Sequence, residues 1–205
     1  MKLQRSFYGR PTLDVARDLL GKVLVHRRRD RVTSGAIVEV EAYVGECDPA
    51  SHAACGRTAR NEPMYGRPGQ AYVYFNYGIH CLMNVVTEPE EQPAAVLIRA
   101  LDPVDGIEIM RRRRTRGKKG AKSRLQTDGL CRGPGNLTVA MGITLRENRL
   151  DLLGDRLFIE DRGVEMGRIV WGPRIGISTG RRRPWRAWID GHPSVSCPSA
   201  RGASR

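Results

Sequence analysis

The sequence predicts an α+β fold, a single mixed domain built on a largely antiparallel sheet. Three observations lead there. The 205 residues suffice for one well-buried core and fit one domain better than two. Segments with strand-like alternation follow one another more often than helices separate them. Two of these segments, residues 71–76 and 79–86, meet at Asn76-Tyr77-Gly78, which has the composition of a hairpin turn. One domain is expected over residues 1–198, with residues 199–205 a disordered tail.

In chain order, Pro11, an apolar stripe of Leu13, Ala16, Leu19 and Leu20, and Gly21 as a stop predict a helix over residues 12–20. Residues 22–26 follow as a strand, and the charged run 27–31 as a turn. Residues 35–45 form the next strand. Residues 46–70, rich in Gly, Pro, Arg, Asn and Ser, lack periodicity. A loop that long inside a compact domain is usually functional or disordered. After the hairpin, residues 95–101 read as an apolar strand ended by Asp102-Pro103, and residues 104–114 as a helix. Gly133-Pro134-Gly135 introduces a short helix over 136–141, stopped by Gly142. Late strands are expected at 157–160, 168–177 and 185–189. No internal repeat is visible.

Thirty-five Lys and Arg against 22 Asp and Glu leave a net charge of +13, which points to a polyanionic partner, most simply nucleic acid. A ribosome or an anionic membrane surface would suit the charge equally. No stretch is long and apolar enough to span a bilayer, and the N-terminus has no signal-peptide core, so a cytoplasmic protein is expected. Five cysteines, odd in number and without Cys-x-x-Cys, read as reduced thiols. Zinc held by Cys47, His52, Cys55 and the His80-Cys81 pair is disfavoured, because adjacent residues do not easily converge on one ion.

Residues 35–45 are the most informative stretch. Ala36, Val38, Val40, Ala42 and Val44 fall on one face, and Ile37, Glu39, Glu41 and Tyr43 on the other. Two carboxylates and an aromatic in so apolar a strand are costly unless their face lines a cleft; an ordinary solvated face is the alternative. Asn84 and Arg99 interrupt other apolar strands, so each needs a partner, and for Arg99 that partner would be Glu41 or Glu39. Tyr77, at the hairpin tip, has no core to enter and suits packing under a loop or wedging between bases. Of the 14 residues 111–124, nine are cationic and none acidic, which makes Arg111, Arg112, Arg113, Arg114, Arg116, Lys118, Lys119 and Lys122 candidates for phosphate contact. A solvated, self-repelling loop is the alternative reading. Arg181-Arg182-Arg183 is a weaker candidate.

Glu39-Val40-Glu41-Ala42-Tyr43, His52, Tyr72-Val73-Tyr74-Phe75-Asn76-Tyr77-Gly78, Met83-Asn84-Val85, Leu97-Ile98-Arg99-Ala100-Leu101, Gly133-Pro134 and Arg174-Ile175-Gly176-Ile177 occur in this order from about residue 5 to residue 197. As an ordered set they resemble the alkyladenine (3-methyladenine) DNA glycosylase family. The resemblance implies a curved antiparallel sheet flanked by helices, a monomer, and no metal or organic cofactor. It implies double-stranded DNA with damaged purines as partner, no membrane, and a cytoplasmic location, on the nucleoid in a bacterium. The implied activity is monofunctional base excision: 3-methyladenine, 7-methylguanine or hypoxanthine is flipped out and its N-glycosidic bond hydrolysed, leaving an abasic site. Glu41 would be the general base; Arg99 and the Ile175 main-chain carbonyl would help it hold the water. Tyr43, His52 and Tyr74 would wall the base pocket, Asn84 would face the purine edge, and Tyr77 would fill the gap in the duplex. Asn136, His80 and Asn76 depart from the family pattern. A non-catalytic nucleic-acid binder is the main rival, but it has no use for a carboxylate facing a polyanion. A metal-dependent nuclease would require clustered Asp and Glu ligands.

Overall fold

Strand-forming sequence dominates the middle of the chain. The computed structural model, which describes residues 1–76, 78–117 and 125–196, gathers it into one curled sheet. Its strands are β1 (Val23–Arg28), β2 (Arg31–Val44), β3 (Ala71–Asn76), β4 (His80–Val86), β5 (Ala94–Asp105), β6 (Leu157–Glu160), β7 (Ile169–Gly172) and β8 (Arg186–Ile189). They run in the order β3-β4-β5-β2-β1-β6, with β8 also pairing β2 and β7 pairing β8. Every pairing among the described residues is antiparallel. Among the described residues four helices flank the sheet: α1 (Arg5–Tyr8), α2 (Thr12–Leu19), α3 (Ile107–Thr115) and α4 (Pro134–Met141). The α+β reading holds.

The core lies between the sheet and these helices, where Ile37, Val40, Ile98 and Leu101 meet Leu19, Met110, Leu137 and Met141. Each such side chain contributes roughly 1.5–3 kcal/mol by leaving water. On α2 the buried stripe is Val15, Ala16 and Leu19, with Leu13 only half-buried. Both faces of β2 are covered from Thr33 to Ala42, so neither is an ordinary solvated face.

Several boundaries differ from the sequence expectation. The charged run 27–31 is mostly strand, because Arg28 pairs with Arg31 and only Arg29 and Asp30 turn. Asp102-Pro103 does not end β5. Pro103 lies opposite Gly35, where the ladder slips, so its missing N–H costs the sheet little. Helix α3 therefore starts later, after Gly106, whose φ of +73° and close approach to Val32 exclude a side chain. Only residues 169–172 of the expected strand 168–177 are strand, since Pro173 has no N–H for a ladder and residues 174–177 leave the sheet. The 46–70 segment contains two 3-10 turns, His52–Cys55 and Glu62–Tyr65. The expected tail over 199–205 lies outside the described residues. No helix among the described residues is long and apolar enough to cross a membrane.

Candidate active site

One row of cross-strand neighbours builds the floor of the site. Tyr72 on β3 pairs with Asn84 on β4, Asn84 with Leu97 on β5, Leu97 with Glu41 on β2, and Glu41 with Arg186 on β8. Directly paired residues point to the same face, so pleating alone brings a phenol, an amide, a carboxylate and a guanidinium into line. All but Arg186 border a cavity of about 500 Å³, a size typical of small-molecule pockets.

Glu41 is fully buried at the base of this cavity. The Tyr43 hydroxyl donates to its Oε2 at 2.8 Å, the Ile175 N–H donates to Oε1 at 2.7 Å, and Arg99 Nη1 lies 3.2 Å from Oε1. A carboxylate offers about four acceptor positions. The loaded oxygen is Oε1, and among the described residues Oε2 carries the tyrosine alone. The group of Ile175 that reaches Glu41 is therefore the peptide N–H. Tyr43 resists ionisation, first because it is buried and then because Glu41 is beside it, so it stays a donor.

Arg99 has both anions the sequence offered it. Its Nε donates to Glu39 Oε1 at 2.8 Å while Nη1 faces Glu41. The ladder explains the geometry: β2 and β5 slip register between Ile37 and Glu39 and again between Glu39 and Val40, setting Arg99 among both carboxylates. Burial pushes the Glu39 carboxyl up, but Arg99, Arg186 and Ser196 outweigh it and hold it below the usual range. Burial likewise disfavours the Arg99 cation, and Glu41 and Glu39 more than restore it.

The walls are aromatic. His52 Nδ1 lies 2.8 Å from the Tyr72 hydroxyl, and its ring meets that of Tyr74 edge-on with centroids 4.5 Å apart. Burial and then the nearby Arg60 lower the His52 pKa, which favours the neutral ring. Asn61 fixes this part of the loop by donating to the carbonyls of His52 and Gly56, at 2.7 and 2.8 Å. Asn84 Nδ2 donates to the Tyr72 carbonyl at 3.1 Å, which answers the demand of its buried amide. Pro134 and Gly135, at the start of α4, and Ile79 and His80, beside the hairpin tip, complete the rim.

A buried ion pair fastens the loop that carries Ile175. Arg174 Nη1 and Nη2 donate to the two Asp48 oxygens at 2.5 and 2.7 Å, and Nη1 also reaches the Ala42 carbonyl at 2.9 Å. Its guanidinium lies 4.6 Å from the Tyr43 ring centroid. Burial raises the Asp48 carboxyl, and the bonds from Arg174 more than reverse this.

Glu41, Arg99, Tyr43, His52, Tyr74, Asn84 and Ile175 thus all border one cavity. Asp48, Tyr72, Ile79 and Ser196 escaped the sequence reading as site residues; only the exposed Ile79 beside a hairpin turn carried a local signal. Tyr77, Lys118, Lys119 and Lys122 lie outside the described residues. Within the basic run, Arg111 donates to Thr127 Oγ1 and the Leu125 carbonyl, Arg113 to the Ala140 carbonyl, and Arg114 to Asn136. Arg112 and Arg116 are exposed. Among the described residues, no three His, Cys, Asp or Glu side chains are grouped as a metal would require.

Residues 6–193 match the family model described as methylpurine-DNA glycosylase. A protein of Clostridium acetobutylicum, named "Putative 3-methyladenine DNA glycosylase", is 46% identical over 200 residues, covering 96% of this chain and 98% of its own. Proteins of the same name from Methanocella arvoryzae (46% identical, 95% of each chain) and Bacillus cereus (45%, 96% of this chain and 99% of its own) are similar over comparable spans. The chain belongs to the methylpurine-DNA glycosylase family, hydrolases of N-glycosyl bonds that act in DNA repair.

Proposed function

We propose that the chain is a monofunctional glycosylase that extrudes alkylated or deaminated purines from duplex DNA and hydrolyses their glycosidic bond with a water activated by Glu41. The observation that carries this reading is a fully buried carboxylate, held by three partners, at the floor of an aromatic cavity in a protein of net charge +13.

A base inside a duplex cannot present its glycosidic bond, so the nucleotide must rotate out at a cost of a few kcal/mol. Tyr77, which the sequence places between β3 and β4, offsets part of that cost by filling the vacancy. The exposed Phe75 and Ile79 flanking it, 49% and 69% accessible, support an apolar wedge there. A purine methylated at N3 or N7 is cationic, and Tyr43 and Tyr74 attract it by about 0.5–2 kcal/mol through their ring faces. Its charge also makes it a good leaving group, so one carboxylate and one water suffice. With Oε1 occupied, the water takes the remaining position on Oε2. There Glu41 orients it, accepts its proton, and stabilises the cationic sugar. Asn84 faces the purine edge and discriminates against an exocyclic amino group. Hypoxanthine must be protonated as it leaves and turns over more slowly. No lysine borders the cavity among the described residues to form a Schiff base with the sugar, which supports simple hydrolysis without strand cleavage. Exposed Arg112 and Arg116 supply phosphate contacts. The enzyme works as a monomer, in the cytoplasm, through one domain over residues 1–198.

Duplex oligonucleotides carrying one defined lesion, treated with hot alkali after incubation, test this directly. The wild type yields cleavage at methylated purines and, more slowly, at hypoxanthine. Glu41→Gln binds the same duplex but loses base release by about 10²- to 10⁴-fold. Excision by Glu41→Gln at the wild-type rate refutes the mechanism, and no excision by the wild type leaves the non-catalytic binder.

A further inference from the structure

We infer that Glu39 is a positioning residue of this active site: its carboxylate fixes Arg99 so that the guanidinium meets Glu41 through one nitrogen only. The inference deepens the proposed function, since it rests on Glu41 acting as the base. Glu39 is completely buried two residues before Glu41 and borders no part of the cavity, so it touches no substrate.

Four donors converge on it. Oε1 accepts from Arg99 Nε, Arg186 Nε and Ser196 Oγ, each at 2.8 Å, and Oε2 accepts from the Ser196 N–H at 2.7 Å. These four donors equal the number of acceptor positions a carboxylate offers, with three of them gathered on Oε1. Ser196 Oγ also lies 3.4 Å from Arg99 Nη2, so the serine braces the guanidinium on its other edge. Arg186 stacks on Trp188, 4.3 Å from the ring centroid, and belongs with Arg99 to a four-residue set of two cations and two carboxylates.

An arginine facing one carboxylate prefers the two-pronged geometry, both prongs on both oxygens. Here Glu39 and Ser196 engage Nε and Nη2, which leaves Nη1 for Glu41 Oε1. Oε2 is thereby kept for Tyr43 and the water. Without Glu39, two guanidinium groups share Glu41 as their nearest carboxylate in this set, and Arg99 swings toward both of its oxygens. The damage falls on the chemical step and spares substrate binding. A purely structural ion pair would instead cost stability and leave the rate per folded molecule unchanged.

The test measures kcat and KM on the lesion the wild type releases fastest, for the full chain carrying Glu39→Gln, Glu39→Asp, Ser196→Ala or Glu41→Gln. Thermal unfolding and binding to an abasic-site duplex report folding. Glu39→Gln should lose about 10- to 100-fold in kcat, with KM and abasic-site binding within about twofold of wild type. Glu39→Asp should recover part of the loss, and Ser196→Ala should lose roughly three- to tenfold in kcat. Folded Glu39→Gln with wild-type kcat overturns the inference, as does a loss confined to KM. Should Glu39→Gln not fold, Ser196→Ala decides: reduced kcat in a stable protein upholds the inference, and unchanged kcat overturns it. An active Glu41→Gln sinks the proposed base. An inactive Glu41→Gln beside a fully active Glu39→Gln sinks only the positioning role.

Discussion

Tyr43 carries two roles that one substitution can separate. Its ring walls the cavity with Arg174 behind it, and its hydroxyl donates to Glu41 Oε2 at 2.8 Å. Tyr43→Phe keeps the ring and removes the donor. Hydrogen bonds to charged groups are worth about 1.5–3 kcal/mol, so kcat should fall roughly tenfold or more while KM stays near wild type. Wild-type kcat in Tyr43→Phe would mean the hydroxyl contributes nothing to the reaction. At this scale the sequence was informative wherever a polar residue broke an apolar strand: Glu41, Asn84 and Arg99 stood out for that reason, and all three border the cavity. The resemblance put forward the main-chain carbonyl of Ile175, whereas the group that faces Glu41 is its N–H. The direction of a peptide in a loop depends on how the loop is fastened, here by Asp48 from another part of the chain. Ser196 is an ordinary serine until its partner 157 positions away is known.

Asp48 and Arg174 decide the conformation of the segment that follows β7. Both are buried, and each is the other's bidentate partner. Asp48→Ala would leave a buried guanidinium without its carboxylate, a loss of about 3–5 kcal/mol and roughly 10 °C in Tm. Because Ile175 adjoins Arg174, kcat at temperatures well below unfolding should fall as well. A Tm within about 2 °C of wild type would show that other contacts hold the loop. Elements set by local sequence were legible: β3 and β6 have the bounds their alternation predicts, and α4 stops at Gly142. Elements set by distant partners were not. The continuation of β5 through Pro103 depends on a register slip against Gly35, and the 3-10 turns of the 46–70 segment depend on the Asn61 side chain bridging two carbonyls.

Across the whole molecule, acid should act in two stages. His26 and His52 titrate below their ordinary value of 6.5 in the fold, mainly through burial. Below that pH the unfolded chain takes up protons that the native state refuses, so stability falls. Glu39 and Asp48 are held below their ordinary values of 4.5 and 3.8 despite burial, by the cations around them. Their contribution is complete above those values and is lost as pH falls through the folded-state values. Tm should therefore be flat between about pH 7 and 8, decline from about 6.5 downward, drop faster below about 4.5, and fall again above about 9, where the unfolded chain ionises the Cys131 thiol that burial keeps protonated. A Tm unchanged between pH 7 and 5 would contradict neutral histidines. The same scale gives Ser196 a temporal meaning. On a translating ribosome, Glu39 emerges long before Ser196, so the shell of donors around its carboxylate closes only when residue 196 leaves the exit tunnel.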